Sequence, residues 1–409
     1  MTLQRVTRTS VVVLVAVFLA GQAADAAPAG AATLWQRLDR ALTVAHVSRA
    51  STGAIAIDLR NGRTVFALHR SRSLRPASNQ KLGVALTALA RLRPAYRIRT
   101  DVLGVGRRSS SVWRGRLILR GYGDPTLRRA DLRRLAWRIH RLGIRTVTGD
   151  IVGDESYYDR RRIGPGWKRS WYKDESPPLS ALVVNRARVG GRTVDRPARA
   201  AAVAFVAALE NKGVRVRGSA RVGSDRRGAV RMTGVRSPPL SRLVRRMNKV
   251  SDNFYAEMLL KHLGKTQRGA GTTAAGSRVV RRELARRGVP LSGVRLSDGS
   301  GLSRYNRFTA RALAALLISA RSDPAIAHPF VASLPIAGID GTLEDRMKRP
   351  PAFRRVRAKT GTTRKASALS GYVAGRYVFS VLQNGRPIAW WYARRAQNRF
   401  AQVLARAAT

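Results

Sequence analysis

Apolar residues recur every three to four positions in several segments, a spacing that predicts amphipathic helices. These segments are 34–47, 78–92, 130–142, 198–212, 239–263, 272–287, 309–321 and 392–407. Alternating apolar and polar residues predict strands in 53–68, 100–120, 145–153 and 366–383. Within the first of these, Asn61-Gly62 predicts a hairpin turn, because both residues tolerate positive φ.

The two ends of the chain share this mixture of strands and helices, and a separate block lies between them. We expect the terminal strands to join in one antiparallel sheet flanked by helices, an α/β (α+β) architecture with a smaller inserted domain. The predicted boundaries are a leader at 1–27, a main domain at 28–99 and 236–409, and an inserted domain at 100–235.

The N-terminus has the pattern of a secretory signal peptide. Arg5 and Arg8 precede the apolar run 11–20, and the small-residue site Ala24-Asp25-Ala26 follows. The run is short for a membrane span, which needs about 20 residues. We therefore expect a secreted, extracytoplasmic protein without an integral membrane segment after cleavage.

Composition narrows the choice of partners. The 409 residues carry 78 Lys+Arg against 23 Asp+Glu, a formal net charge of +55. Such a charge attracts anionic polymers, and export favours anionic wall polymers over nucleic acid. An arginine-rich solvated surface without any such partner is the alternative. The chain has no Cys, and its five His are not spaced like metal ligands, so we expect no metal and no cofactor.

Ser78 and Lys81 stand where a helix is predicted to begin. Residues at i and i+3 share a helix face, so the hydroxyl and the amine can come within hydrogen-bond reach. The helix N-terminus disfavours a charged ammonium, and a lysine with a lowered pKa can accept the serine proton. An N-cap serine beside a surface lysine is the alternative.

A second cluster, Ser251-Asp252-Asn253, opens an apolar helical stretch. From a short turn, Ser251 can relay a proton and Asn253 can bind a substrate amide. Helix capping is the alternative.

A third cluster, Lys359-Thr360-Gly361-Thr362, lies at the edge of a predicted strand. A cation beside hydroxyls suits a substrate carboxylate, and Gly361 lets the ligand backbone approach closely. A basic strand without such a role is the alternative.

In this order the three clusters form the set typical of penicillin-binding proteins and class A β-lactamases. The stretches 76–81, 123–127, 298–304 and 340–343 resemble the D-alanyl-D-alanine carboxypeptidase/endopeptidase family. These are the class C low-molecular-mass penicillin-binding proteins, similar to penicillin-binding protein 4. The resemblance covers nearly the whole mature chain and implies the serine β-lactamase/penicillin-binding transpeptidase-like fold. The long gap between Ser78 and Ser251 fits, because that family places inserted domains there.

The resemblance also implies roles on a peptidoglycan stem peptide ending in D-Ala-D-Ala. Ser78 would be the nucleophile and Lys81 its general base. Ser251 and Lys359 would pass the proton to the leaving D-alanine, while Asn253 would bind the amide of the penultimate residue.

The remaining implied roles concern the carboxylate and the oxyanion. Thr360 and Thr362, on either side of Gly361, would hold the terminal carboxylate. The backbone N–H groups of Ser78 and Thr362 would form the oxyanion hole. β-Lactams are expected to acylate the same serine and to leave slowly.

Two further positions and two departures complete the comparison with the family. Asp124 and Arg304 match positions that contact the charged end of a diaminopimelate side chain, with a turn and a surface arginine as the alternatives.

The sequence departs from the family in two respects. A further inserted domain after Asn185 is absent. Gly83, where the family has a larger residue, either loosens the helix or makes room for a ligand.

The sequence thus predicts a secreted serine-type D-Ala-D-Ala carboxypeptidase inhibited by β-lactams. Additional DD-endopeptidase activity is left open. A β-lactamase or esterase on the same fold is one alternative. A catalytically weak, cationic wall-binding protein is the other.

Overall fold

The computed structural model describes residues 32–168 and 170–409, so the predicted signal peptide lies outside the described residues. The helices are α1 Leu34–Leu42, α2 Gln80–Leu92, α3 Arg129–Arg141, α4 Trp171–Asp174, α5 Pro197–Glu210, α6 Leu240–Lys249, α7 Asn253–Arg268, α8 Thr273–Arg286, α9 Ala310–Ser322, α10 Ala327–Ser333 and α11 Trp390–Arg406. The strands are β1 Thr52–Asp58, β2 Thr64–Leu68, β3 Arg99–Ser109, β4 Val112–Gly121, β5 Thr146–Val147, β6 Ile151–Asp154, β7 Arg188–Val189, β8 Arg192–Thr193, β9 Arg215–Val216, β10 Ala220–Val222, β11 Val230–Arg236, β12 Val356–Thr363, β13 Ala366–Val373 and β14 Tyr377–Asn384.

Strands from both ends of the chain form one five-stranded sheet in the order β12-β13-β14-β1-β2. All its neighbours are antiparallel. β1 lies beside β14, with Thr52 opposite Gln383 and Asp58 opposite Tyr377. The sheet therefore brings residues more than 300 positions apart together, as the pattern of terminal strands predicts.

Helices cover both faces of this sheet. Phe379 of β14 points to the face where Leu38 of α1 and Phe400 of α11 are buried. The next residue along the strand, Val378, points to the opposite face, in one core with α2 and α6–α9. Since side chains alternate along a strand, a strand covered on both faces reads as a nearly continuous apolar run.

A second sheet takes its strands from residues 99–236. Its main path is β10-β6-β4-β3-β11, with β5 paired to β4 and β9 paired to β5. Helices α3 and α5 pack on it through a separate core that includes Leu132, Ile139 and Phe205. The domain boundaries near 100 and 235 stay a prediction.

The single helix predicted over 239–263 is wrong. The chain forms α6 and α7 there, and three residues separate them. Ser251 between them has φ 57°, a left-handed conformation that an uninterrupted helix does not contain. This break presents Ser251 at the surface of the helical layer.

Gly83 belongs to the packing of α2 against α8. A Cβ atom at this position would lie 3.3 Å from Val280 Cγ1 and 3.8 Å from Leu284 Cδ1. The missing side chain therefore brings two helices close together, and the expected room for a ligand is absent at this position. Across the described residues, no helix combines the length and the apolar character needed to cross a membrane.

Candidate active site

Ser78 lies in a 3₁₀ turn, Ala77–Asn79, that leads directly into α2. Ala77 before it has φ 46°, a strained backbone for a residue with a side chain. The amide of Asn79 fixes the turn to the sheet, because its Nδ2 donates to the Lys359 carbonyl oxygen at 3.1 Å. The serine is therefore held between the helical layer and the edge of β12.

Lys81, the second residue of α2 and three positions after Ser78, is fully buried and has three acceptors. Its Nζ donates to Ser78 Oγ at 2.9 Å, to Asn253 Oδ1 at 2.8 Å and to the Ser300 carbonyl at 2.6 Å. Burial lowers the pKa of Lys81 to about 8. The predicted contact between the first serine and lysine is present, and the surface-lysine alternative is wrong.

Two buried carboxylates organise the turn behind Lys81. Glu257 Oε1 accepts from the backbone N–H groups of Gly299 and Ser300 at 2.9 and 2.8 Å. Burial, together with the negative charge of Asp298, raises the pKa of Glu257 to about 8. Because Ser300 provides a carbonyl acceptor for Lys81, Glu257 positions the lysine through this turn.

The break between α6 and α7 supplies the second cluster. Asp252 caps α7, since its Oδ1 accepts from Tyr255 N at 3.2 Å, and its Oδ2 pairs with Arg186 at 2.7 Å. The cap holds Ser251 and Asn253 on either side of Asp252. Capping therefore belongs to Asp252, while its two neighbours face the other clusters.

Lys359 on β12 completes the arrangement. Its Nζ donates to Ser251 Oγ and to the Thr360 carbonyl, both at 3.0 Å. Burial lowers the pKa of Lys359 well below its usual value, and the nearby charge of Lys81 acts in the same direction. Two buried amines thus each hold one serine hydroxyl.

Gly361 acts differently from the sequence expectation. A Cβ atom here would lie 2.9 Å from the Pro76 carbonyl oxygen and 3.0 Å from Ser78 N. The space that glycine leaves is filled by the turn that carries Ser78. Gly361 therefore lets β12 approach Ser78, and its predicted contact with a ligand backbone stays a prediction.

A cleft of about 720 Å³ opens above these groups. The predicted residues that line it are Ser78, Ser251, Asn253, Thr360 and Thr362. The three clusters, separated by more than 100 positions in sequence, thus meet at one cleft.

The cleft also contains polar residues that sequence reasoning missed. Thr342 lies in the turn Gly341–Leu343, and its Oγ1 accepts a hydrogen bond from Thr360 Oγ1 at 2.7 Å. Arg346 is held by Asn398 Oδ1 at 2.8 Å, and Arg394 of α11 lies on the same wall. Thr342 belongs to the stretch 340–343, which resembles the family in sequence. Nothing in the sequence distinguishes Arg346 and Arg394 from the many other arginines of the chain.

Glu175 was also missed, in the loop-rich segment before residue 185. Its backbone carbonyl and its Oε2 accept from Asn253 Nδ2 at 3.1 and 3.2 Å. Glu175 thus adds a carboxylate to the cleft, directly beside the amide implied to bind substrate.

The two residues matched to a diaminopimelate contact have different surroundings. Arg304 is exposed and lines a 440 Å³ pocket that shares Leu302 and Arg364 with the cleft. Asp124 is 4 % exposed and is not among the residues lining either space. Its Oδ1 accepts from Thr126 N and Oγ1, which is the turn alternative, and burial raises its pKa to about 6. The structure does not bring Asp124 to the cleft.

Within residues 32–168 and 170–409, no three His, Asp or Glu side chains are grouped so that they could hold a metal ion. The polar groups around the cleft are instead mainly hydroxyls, amines, amides and guanidiniums, with the carboxylates of Glu175 and Asp345 also on its wall. Such groups suit acyl transfer on a substrate that carries a carboxylate.

Known proteins are similar to this chain in sequence. The D-Ala-D-Ala carboxypeptidase 3 (S13) family matches over residues 34–192 and 186–407. A D-alanyl-D-alanine carboxypeptidase from an Actinomadura species is 33% identical, over 88% of this chain and 83% of that protein. Carboxypeptidase DacB from Mycolicibacterium smegmatis is 31% identical, over 74% of this chain and 69% of that protein.

Solved structures show the same fold. Penicillin binding protein 4 from Haemophilus influenzae superposes with a TM-score of 0.80, at 21% identity, over 90% of this chain and 98% of that chain. A penicillin G-acylated predatory endopeptidase from Bdellovibrio bacteriovorus superposes with a TM-score of 0.53, at 19% identity, over 87% of this chain and 90% of that chain. The expected penicillin-binding fold, an antiparallel sheet flanked by helices, is confirmed.

Proposed function

Because the chain belongs to the D-Ala-D-Ala carboxypeptidase 3 (S13) family, we propose that it removes the terminal D-alanine from peptidoglycan stem peptides through an acyl-enzyme on Ser78. The chain is a serine hydrolase of the D-Ala-D-Ala carboxypeptidase class, as its relatives are. The observation that carries the finer proposal is the buried Lys81 amine, which lies 2.9 Å from Ser78 Oγ and has a lowered pKa.

Acylation begins with neutral Lys81. Its Nζ takes the proton of Ser78 as the oxygen attacks the carbonyl carbon of the penultimate D-alanine. The backbone N–H groups of Ser78 and Thr362 are suited to stabilise the oxyanion that forms. A preorganised pair of donors costs no reorganisation at that moment.

The leaving amine then needs a proton. Ser251 Oγ supplies it and is reprotonated by Lys359 Nζ, 3.0 Å away. The proton that Lys81 took from Ser78 then replaces the one that Lys359 gave up, so both amines return to their starting states. The C–N bond breaks, D-alanine departs, and an ester joins the remaining peptide to Ser78. Water hydrolyses this ester and restores the serine hydroxyl.

Polar groups around the serine orient the substrate. Asn253 binds the amide of the penultimate residue, and the hydroxyls of Thr360 and Thr362 hold the terminal carboxylate. Gly361 between them keeps β12 against the nucleophile turn, where the carboxylate end must lie. Arg304 faces a pocket continuous with the cleft and is suited to a carboxylate further along the stem peptide.

β-Lactams mimic the carboxylate-bearing end of the substrate and acylate Ser78 as slow-leaving inhibitors. Cleavage of cross-links by DD-endopeptidase activity requires the same acylation with a larger leaving amine. The signal-peptide pattern at 1–27 supports export to the wall space, where the +55 charge attracts anionic polymers.

Intact-protein mass after incubation with benzylpenicillin tests the nucleophile. The parent should gain the mass of one penicillin, whereas Ser78→Ala should not. Ser109→Ala is the control and should also gain it, because Ser109 lies at the exposed end of β3, outside the cleft. In parallel, the parent should release D-alanine from a stem pentapeptide. An adduct that persists in Ser78→Ala would refute the assignment of Ser78. Rapid loss of penicillin without an adduct would indicate a β-lactamase.

A further inference from the structure

Two consecutive tryptophans are exposed at the start of α11. Trp390 and Trp391 are 50% and 54% exposed, among the most exposed large apolar side chains of the described chain. Arg394 lies over the Trp390 ring, 4.7 Å from its centre, and Arg395 lies over the Trp391 ring at 5.5 Å. Each ring thus has a cationic neighbour, and about half of the surface of each tryptophan is accessible to solvent. We call these two tryptophans the indole pair.

Trp390 of the indole pair lies beside the cleft, and Trp391 follows it on the first turn of α11. Arg394, which covers Trp390, also lines the cleft that contains Ser78. Arg346 lies on the same wall and is fixed to α11 through Asn398. A single side chain therefore separates the Trp390 ring from the space in which the stem peptide is proposed to bind.

The stem peptide is short, so the amino-sugar strand that carries it must lie close to the cleft. Five peptide residues span at most about 17 Å when fully extended. A stem peptide whose end reaches Ser78 therefore keeps its amino-sugar strand near the cleft. An exposed aromatic surface at the rim is where that strand would meet the protein.

We propose that the indole pair binds the amino-sugar strand that carries the stem peptide, an inference that rests on the proposed function. One face of a sugar ring is apolar and flat, and it packs on an indole with little loss of side-chain freedom. Arg394 and Arg395 donate to the oxygens around the ring. Tryptophan and arginine are also the residue types enriched among the side chains that dominate binding energies at protein interfaces.

The experiment compares two substrates with the same peptide. Release of D-alanine is measured from the free pentapeptide and from the pentapeptide attached to an oligomeric amino-sugar strand. In the double variant Trp390→Ala/Trp391→Ala, kcat/KM for the strand-linked substrate should fall about tenfold, mainly through KM, a size typical of losing two aromatic contacts. Activity on the free pentapeptide should stay unchanged.

Trp137→Ala is a matched control. Trp137 is 46% exposed on α3 and has Arg141 over its ring at 5.3 Å, but it is not among the residues lining the cleft. This variant should leave both substrates unchanged. An equal fall on both substrates in the double variant would assign the indole pair a structural role. No fall on either would also overturn the proposal.

A third arm separates the sugar strand from a lipid surface, because tryptophan is also enriched at membrane interfaces. Binding to phosphatidylglycerol vesicles is measured for the same variants. Loss of vesicle binding with unchanged kinetics on the strand-linked substrate would refute the sugar proposal. If the parent releases no D-alanine from the free pentapeptide, the proposed function fails instead.

Discussion

The pH dependence of acylation tests the chemistry of Lys81 most directly. Only the neutral amine can take the Ser78 proton, so the acylation rate should follow the neutral fraction of Lys81. Burial lowers the pKa of this lysine to about 8. The rate should therefore rise about tenfold for each pH unit below 8 and level off above it.

The structure also sets the size of the effect. At pH 7 a pKa of about 8 leaves about 9% of the lysine neutral, against about 0.03% for an unperturbed lysine near 10.5. The neutral fraction is therefore about 300 times larger, which corresponds to about 3 kcal/mol in the protonation equilibrium of the lysine. Removal of the Lys81 amine from water is the source of this gain.

The assay is the second-order rate constant for acylation by benzylpenicillin, followed by quenched intact-protein mass from about pH 6 to about pH 10. In Lys81→Arg the guanidinium stays protonated, so acylation should fall by at least about 100-fold with the fold intact. A rate that is flat between pH 6 and 8 would refute the reasoning. So would a Lys81→Arg variant that keeps the rising limb.

Four other outcomes are expected. Gly361→Ala should abolish detectable penicillin labelling, because the added Cβ would meet Pro76 O at 2.9 Å. A circular dichroism spectrum matching that of the parent would show that the variant is folded. Normal labelling would contradict the reasoning. Asp252→Ala removes the cap of α7 and should lower the free energy of unfolding by about 0.5–2 kcal/mol, measured by urea denaturation, with Asp195→Ala as an exposed control. Asp124→Asn should leave D-alanine release unchanged, because this side chain does not line the cleft; a rise in KM would return it to the substrate. The raised pKa of Glu257 means that the folded protein binds the Glu257 proton more tightly than the unfolded chain does, so stability is lost as pH rises from about 4.5 through about 8. Glu257→Gln should reduce this loss when the melting temperature is measured over a pH series. An unchanged pH dependence would contradict this explanation.

Much of the site could be predicted from the sequence because its parts are local. Ser78 and Lys81 are three positions apart on one helix turn, and the α7 cap lies within a few residues of Ser251. Such spacings determine which side chains share a face. The strands at the two ends were equally readable from their apolar pattern.

Other parts of the site depend on residues distant in sequence. Glu175, Thr342 and Arg346 reach the cleft from a loop, a short turn and a further loop, and none is marked by spacing. The placement of Asp124 could not be predicted either. An aspartate that follows a glycine can either stabilise a buried turn or contact substrate. Only the surroundings of Asp124 in the folded protein distinguish these two roles.

The sequence by itself determined the chemistry: a serine with a nearby lysine, a second serine with an asparagine, a lysine on a strand, and a strongly cationic chain. The tertiary structure decided how that chemistry is tuned and what surrounds it. The break at Ser251, the approach of β12 past Gly361 and the burial of Lys81 and Lys359 all arise from packing between distant segments. The physical reason is that a lowered amine pKa requires removal from water, and only the assembled layers of helices and sheet exclude it.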